Sequence, residues 1–228
     1  MTDSSITIIY YTANKISDYF FQNTKKYLLE AAGDIPIISV SQKPMDLGKN
    51  ICLGDIGWSD YNIYRQAMIG AKEATTKYIA MAEDDTLYSA DHFTFRPSEG
   101  KFAYNMNKWS IFTWSRPQIF SNRGRMTFNA MIGHRELFIE AIEERFRKYP
   151  DDKMIPYQFW GEPGRYEKYL GVTVRETEQF HSKIPIIMFS HQESLNYRKQ
   201  GTRKKLGNDR AYELPGWGKA EDIIKLHG

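Results

Sequence analysis

The sequence predicts an α/β fold, one domain built on a mostly parallel sheet flanked by helices. Three observations predict it. A β-branched and aromatic run, Ile6-Thr7-Ile8-Ile9-Tyr10-Tyr11, reads as a buried strand. Two stretches of helical periodicity follow, each with a capping residue in front, and they alternate with strand-like runs. A further apolar run, Tyr78-Ile79-Ala80-Met81-Ala82, ends directly in Glu83-Asp84-Asp85. Alternating strands and helices give parallel pairing, because each helix returns the chain to the same end of the sheet.

After the first strand, Ser17 or Asp18 caps a helix running to about residue 32. Phe20, Tyr27, Leu28 and Ala31 share one of its faces, and Gly33 is placed to end it. Residues 35–40 form a second strand, followed by the loop Ser41-Gln42-Lys43-Pro44. Past Gly54-Asp55-Ile56-Gly57, Ser59 or Asp60 caps a second helix with Ile63, Ala67, Ala71 and Ala74 inward. The second half is less regular. Residues 102–114 are strand-like and aromatic, 126–132 suggest another strand, and 136–147 are helical up to Tyr149-Pro150. Residues 162–169 read as a short helix with Pro163 in its first turn, and 184–189 as a late strand ending at Ser190-His191. No linker, repeat or low-complexity segment interrupts this series, so a single domain over 1–228 is expected.

Composition narrows the function classes. At 228 residues, 41% hydrophobic and 14% aromatic, the chain can fill a core and is not disordered by composition. No apolar run approaches the roughly 20 residues of a membrane span. The polar start before Ile6 carries no basic region of a signal peptide, so a cytoplasmic setting is the default expectation. Cys52 is the sole cysteine, which excludes an internal disulfide and a cysteine-based zinc site. Net charge is only +3, but Arg198, Lys199, Arg203, Lys204 and Lys205 crowd one acid-free stretch. Such a run is either a solvated loop or an anion site for a diphosphate or a nucleic-acid backbone.

On a parallel sheet, ligands bind beyond the carboxyl ends of the strands. That edge gathers Tyr11, Thr12 and Asn14, then Ser41 and Gln42, then the acidic triplet. Three adjacent carboxylates after an apolar strand repel one another, and a hard divalent cation such as Mn²⁺ or Mg²⁺ relieves that repulsion. Strand alternation would put Glu83 and Asp85 on one side and Asp84 on the other. A solvated acidic turn is the alternative. No P-loop and no Gly-x-Gly-x-x-Gly accompanies the triplet.

The order of strands, the helix over 61–75 and the run Tyr78-Ile79-Ala80-Met81-Ala82-Glu83-Asp84-Asp85-Thr86-Leu87-Tyr88 resemble glycosyltransferases of the A-type (GT-A) fold, a Rossmann-type α/β architecture. Glu-Asp-Asp stands here in place of that family's Asp-x-Asp. The resemblance implies a nucleotide-sugar-binding half over 1–88, an acceptor half over 89–193 and a basic C-terminal loop or tail over 194–228. It implies Asp85, His191 and Glu83 as metal ligands. For donor binding it implies Glu83 and Asp84 with Tyr11, Thr12, Asn14 and Gln42, and Arg198, Lys199 and Arg203 as a clamp on the diphosphate. It implies Glu162, with Glu167 in reserve, as the base of an inverting transfer. His92, His134, His181 and His227 have no comparable context. In its compact size and in Trp160-Gly161-Glu162-Pro163-Gly164-Arg165 followed by Ser190-His191, the chain is also similar to small viral glycosyltransferases that modify hydroxymethylated pyrimidines in DNA and are related to the kinetoplastid base J enzyme. That similarity implies a double-stranded DNA acceptor, with Arg116, Arg125 and Trp160 toward it. Other acceptors, a glycan or a small metabolite, stay open. So do a non-catalytic nucleic-acid-binding protein and a metal nuclease, although neither accounts for the strand–helix series leading into the triplet.

Overall fold

The computed structural model describes residues 5–151, 154, 161–194 and 206–228. β1 (Ile6–Thr12) is buried at every position, as its unbroken apolar run requires of a strand covered on both faces. α1 (Asp18–Ala32) begins where the Ser17 hydroxyl accepts from the Phe20 N–H and stops at Gly33, whose φ is 53°. β2 (Ile37–Ser41) starts two residues later than expected, since Pro36 has no N–H to give the ladder. β3 (Lys49–Cys52) was not expected at all. It is a mostly polar edge strand without apolar alternation, so no periodicity marks it. α2 (Asp60–Glu73) is capped by Ser59 and lies directly on β1, where a Cβ added to Gly70 would come within 2.6 Å of Ile9 Cγ2. β4 (Tyr78–Glu83) then delivers the acidic triplet, and β5 (Thr86–Leu87) follows at once.

The second half corrects several expectations. The run 102–114 is two strands, β6 (Lys101–Asn105) and β7 (Lys108–Phe112), which belong to different sheets. The chain turns between them where Asn105 Oδ1 accepts from the Asn107 N–H. β8 (Phe120–Asn122) interrupts the loop that was to carry Arg116 and Arg125 together. The expected strand over 126–132 begins as a 3₁₀ turn, Phe128–Ala130, and only then becomes β9 (Met131–His134). α3 (Arg135–Lys148) matches its helical pattern. The short helix is α4 (Glu167–Leu170) and not 162–169, because Pro163, Gly164 and Arg165 form a turn with Gly164 at φ 84°. β10 (Glu176–Phe180) and β11 (Ile186–Ser190) complete the main strands. The described part of the expected tail is folded. β12 (Asp209–Ala211) pairs with β8, β13 (Glu213–Leu214) and β14 (Gly218–Lys219) form a hairpin, and α5 (Ala220–Ile223) leads into the 3₁₀ turn Ile224–Leu226.

The large sheet has the order β10-β6-β9-β4-β1-β2-β3, and β9 alone runs against the others. α2 and α3 cover one face and α1 the other, so the fold is the mixed α/β arrangement that the strand–helix alternation predicts. A second sheet, β12-β8-β7-β11-β5, packs with Phe20 of α1 and with Leu214, Ala220 and Ile223 of the C-terminal segment. No helix among the described residues is long and apolar enough to cross a membrane.

Candidate active site

The carboxyl edge of the large sheet forms one wall of a cavity of about 120 Å³. β1 and β4 are parallel neighbours with Tyr11 in register with Glu83, so the triplet emerges beside the end of β1. The two strands bond across that boundary. Tyr11 Oη donates to Glu83 Oε1 at 2.9 Å, and Thr12 Oγ1 donates to Asp84 Oδ2 at 2.5 Å. The strand ends at Glu83, and Asp84 and Asp85 form a turn. Strand alternation therefore stops governing the third carboxylate. Asp85 instead takes its bearing from the second sheet, where its carbonyl accepts from the Phe189 N–H at 2.8 Å. The antiparallel pairing of β5 with β11 locks the same junction.

That pairing brings His191 across. Its Nε2 lies 3.6 Å from Asp85 Oδ2, and its Nδ1 lies 3.1 Å from Glu193 Oε2. The ring is buried, with 3% of its surface exposed. Glu83 Oε1 accepts from Tyr11, and among the described residues Glu83 is not gathered with Asp85 and His191 into one group within 4.8 Å. Among the described residues, the group of three ligand-type side chains gathered within 4.8 Å is His191, Glu193 and His227. His227 thus has a context after all: its ring centroid is 5.6 Å from that of His191.

The electrostatics follow from burial. Glu83 is pushed up to about 8 by desolvation and then by repulsion from Asp85, with the Tyr11 hydrogen bond opposing. Asp84 is pushed up to about 6 by the same two causes, with Thr12 opposing. Burial works against a charged His191, but the hydrogen bond and attraction from Asp85 outweigh it, and its pKa is raised. Without a counter-cation, Glu83 therefore holds its proton at neutral pH. His92 provides the contrast. It is fully buried, bonded to Asn105 Nδ2 and lowered to about 3 by desolvation, so it is a neutral core histidine.

The remaining candidates fall in different places. Gln42 lines the cavity and donates to the Gly57 carbonyl at 2.7 Å. Asn14 sits at φ 53°, and its Oδ1 accepts from the N–H groups of Gln42 and Lys43, so it shapes the rim from within the loop. Glu162 is not at a helix start. It precedes the Pro163–Gly164 turn, pairs with Arg165 at 3.0 Å and has a side chain 13% exposed. Its charge is felt by Tyr64, as is that of Glu83, so the two carboxylates flank one aromatic patch with Tyr11 and Phe128. Glu167, the reserve base, lies inside the fold. It is 1% exposed and accepts from the Arg175 N–H at 2.7 Å, which makes it a brace inside the fold. Arg116 is exposed, donates to the carbonyls of Thr113 and Ser115 and faces the C-terminal segment; Arg125 is exposed in the loop after β8. Trp160, Arg198, Lys199 and Arg203 lie outside the described residues.

Sequence reasoning missed four residues that shape the cavity or its charge. Gln66 sits on the apolar stripe of α2, and its Nε2 donates to the carbonyls of Thr12 and Val40, tying the ends of β1 and β2. Lys108 is buried, lies 3.9 Å from Met188 Sδ and lowers the pKa of Glu83. A polar residue inside an apolar pattern was the available signal for both. Glu193 and His227 gave none.

No protein-family model and no curated protein matches the chain by sequence. Among solved structures it is similar to a glycosyltransferase involved in the glycosylation of the major capsid of PBCV-1, at 12% identity and TM-score 0.47, over 80% of this chain and 92% of that one. It is also similar to S. aureus TarS 1-349, at 9% identity and TM-score 0.44, over 81% of this chain and 60% of that one. The bifunctional IspDF of Campylobacter jejuni is similar at 9% identity and TM-score 0.46, over 85% of this chain and 54% of that one. The chain thus spans about half the length of IspDF. At these scores the likeness is distant, and the functional reading stands on the chain's own side chains.

Proposed function

We propose that this chain transfers a sugar from a nucleoside-diphosphate donor to a hydroxyl, with inversion at the sugar carbon. The observation that carries the reading is the meeting of Asp85 with His191, 3.6 Å apart, at the carboxyl edge of the parallel strands. Tyr11, Thr12, Gln42 and Trp58 line the same cavity and offer the aromatic and hydrogen-bonding surface a nucleotide needs.

The donor set fits a hard divalent cation, Mn²⁺ or Mg²⁺. An oxygen and a nitrogen 3.6 Å apart can share one ion, and burial and then repulsion from Asp85 hold Glu83 and Asp84 above their ordinary values, a cost such an ion would offset. Asp85 and His191 Nε2 would hold it, with Asp84 within the same cavity, while Glu83 stays on Tyr11 and supports the donor side. When bound, the cation neutralises charge on the departing diphosphate. The remaining work falls to the chain. The acceptor oxygen attacks the sugar carbon, the bond from that carbon to the diphosphate oxygen breaks, and the acceptor's proton passes to Glu162. Arg198, Lys199 and Arg203, outside the described residues, keep the role of clamping the leaving diphosphate on the sequence resemblance alone. The acceptor is carried only as far as a hydroxyl. DNA as acceptor rests on Arg116, Arg125 and Trp160, and Arg116 is turned to its own loop and the C-terminal segment.

A thermal-shift panel of nucleotide sugars with and without Mn²⁺ or Mg²⁺ tests the reading. The right donor raises the melting temperature, and more so with the cation, by mass action on the folded state. A panel in which no nucleotide sugar moves the transition under either condition sinks it.

A further inference from the structure

The two nitrogens of His191 face different chemistry. Nε2 faces Asp85 in the acidic cleft, whereas Nδ1 is 3.1 Å from Glu193 Oε2 on the other side. His227 arrives there from the far end of the sequence, and one ligand atom from each of His191, Glu193 and His227 lies within 4.8 Å of the others. Its position is built. The His227 ring packs 4.8 Å from the Phe20 ring. Asn23 Nδ2 donates to the Leu226 carbonyl at 3.0 Å, and Trp217 Nε1 donates to the Pro185 carbonyl at 2.7 Å. α1, β11 and the C-terminal turn therefore converge on one point.

We propose that His191 Nδ1, Glu193 and His227 form a second cation site, suited to a borderline transition metal such as Zn²⁺. Two imidazoles and one carboxylate make a nitrogen-rich donor set, which favours Zn²⁺ over Mg²⁺, whereas the oxygen-rich triplet has the opposite preference. Neighbouring ligands on a tetrahedral Zn²⁺ lie about 3.4 Å apart, given metal–nitrogen distances near 2.0–2.1 Å. The His191–Glu193 pair is already that close, and the half-exposed Glu193 and the partly exposed His227 have room to close the remaining gap. A neutral imidazole has a single lone-pair nitrogen, so metal on Nδ1 leaves Nε2 protonated and donating toward Asp85. Zn²⁺ here would then compete with any cation that needs Nε2. That consequence for turnover rests on the glycosyltransferase reading; the binding itself does not.

Zn²⁺ affinity of the full chain, measured by competition with a chromophoric chelator, tests the site without any nucleotide sugar. The variants are His227→Phe, which keeps a ring against Phe20, Glu193→Gln and Asp85→Asn, each checked for folding by circular dichroism. Loss of outer-shell partners alone weakens metal sites about 10–100-fold, so removing a direct ligand in His227→Phe or Glu193→Gln weakens Zn²⁺ binding by at least about tenfold. Asp85→Asn, which removes only the charge facing Nε2, weakens it less than either ligand variant. Wild-type affinity in His227→Phe, no Zn²⁺ binding by the wild type, or a larger loss in Asp85→Asn than in His227→Phe overturns the proposal. The last outcome would make Glu193 and His227 braces for an ion held on the acidic side.

Discussion

The two sheets meet at His191 and Asp85, and they reach that meeting point by different means. In the large sheet the functional groups are local. β1 ends in Tyr11 and Thr12, β4 ends in Glu83, and each side chain bonds to its neighbour across one strand boundary. In the second sheet, apart from the contact of His191 with Glu193, the partners are distant in sequence. His191 depends on β5 against β11, on β7 beside β11, and on a C-terminal segment packed over Phe20. The oxygen side is therefore set by the main fold, while the nitrogen side depends on long-range docking. Damage to the two sides should have separable consequences.

The largest expected effect is on the oxygen side. Asp85→Asn removes a charge while keeping the side chain's shape and its bond to Thr86. Turnover of the nucleotide-sugar donor should fall by about 10²–10³-fold, the range seen when one preorganised electrostatic group is lost. The melting temperature without added cation should shift little, because relief of repulsion on Glu83 and Asp84 is offset by loss of the attraction between Asp85 and His191. Steady-state kinetics beside a melting curve checks both. Unchanged turnover would leave the acidic side without a chemical role.

A smaller effect is expected from pH. Glu83 has an ordinary value of 4.5 and sits at about 8 in the fold; Asp84 moves from 3.8 to about 6. Between those limits the folded chain binds more protons than the unfolded one, so stability is present at low pH and lost as pH rises. The raised His191 acts in the same direction. Tyr11, Asp84, Asp85 and Lys108 are the groups that act on Glu83, and only Tyr11 and Lys108 favour its charged form. In chelator, the melting temperature should therefore decline from pH 5 to pH 8. Excess Mn²⁺ or Mg²⁺ should flatten that decline, because binding to carboxylates strengthens as they lose protons. Parallel curves with and without the cations would show that no ion gathers there.

The same division explains what the sequence revealed. Ser17, Gly33 and Ser59 act on their own helix ends, so local reading placed α1 and α2 within a residue or two. The apolar run into Glu83-Asp84-Asp85 likewise needs only its neighbours. Elsewhere the deciding contacts lie far along the chain. β6 and β7 look like one aromatic strand until Asn105 turns the chain between two sheets. Glu162 resembles a helix start, but Gly164 lies so close to β10 that an added Cβ would meet Thr177 Cγ2 at 2.1 Å, and a turn replaces the helix. Glu167 carries a base's chemistry and a brace's burial, and only tertiary structure separates those roles. His227 follows Leu226 and precedes Gly228 with no pattern around it, and its meaning comes from Phe20 and His191.

The smallest effect probes the docking itself. Asn23 faces the C-terminal turn from α1, and Asn23→Ala removes its hydrogen bond to the Leu226 carbonyl while leaving the ring contacts of His227 in place. A hydrogen bond of this kind contributes about 0.5–1.5 kcal/mol net, and for a chain of this size each kcal/mol corresponds to about 2–4 °C. The melting temperature should fall by only a few degrees. The informative readout is where protection is lost. Amide exchange should quicken in residues 220–228 and around His191, while β1 and β4 stay protected, because local opening follows the contacts that are weakened. Uniform acceleration across both sheets would mean that the C-terminal segment belongs to the same cooperative unit as the acidic edge. The separation between the oxygen and nitrogen sides would then be one of sequence distance alone.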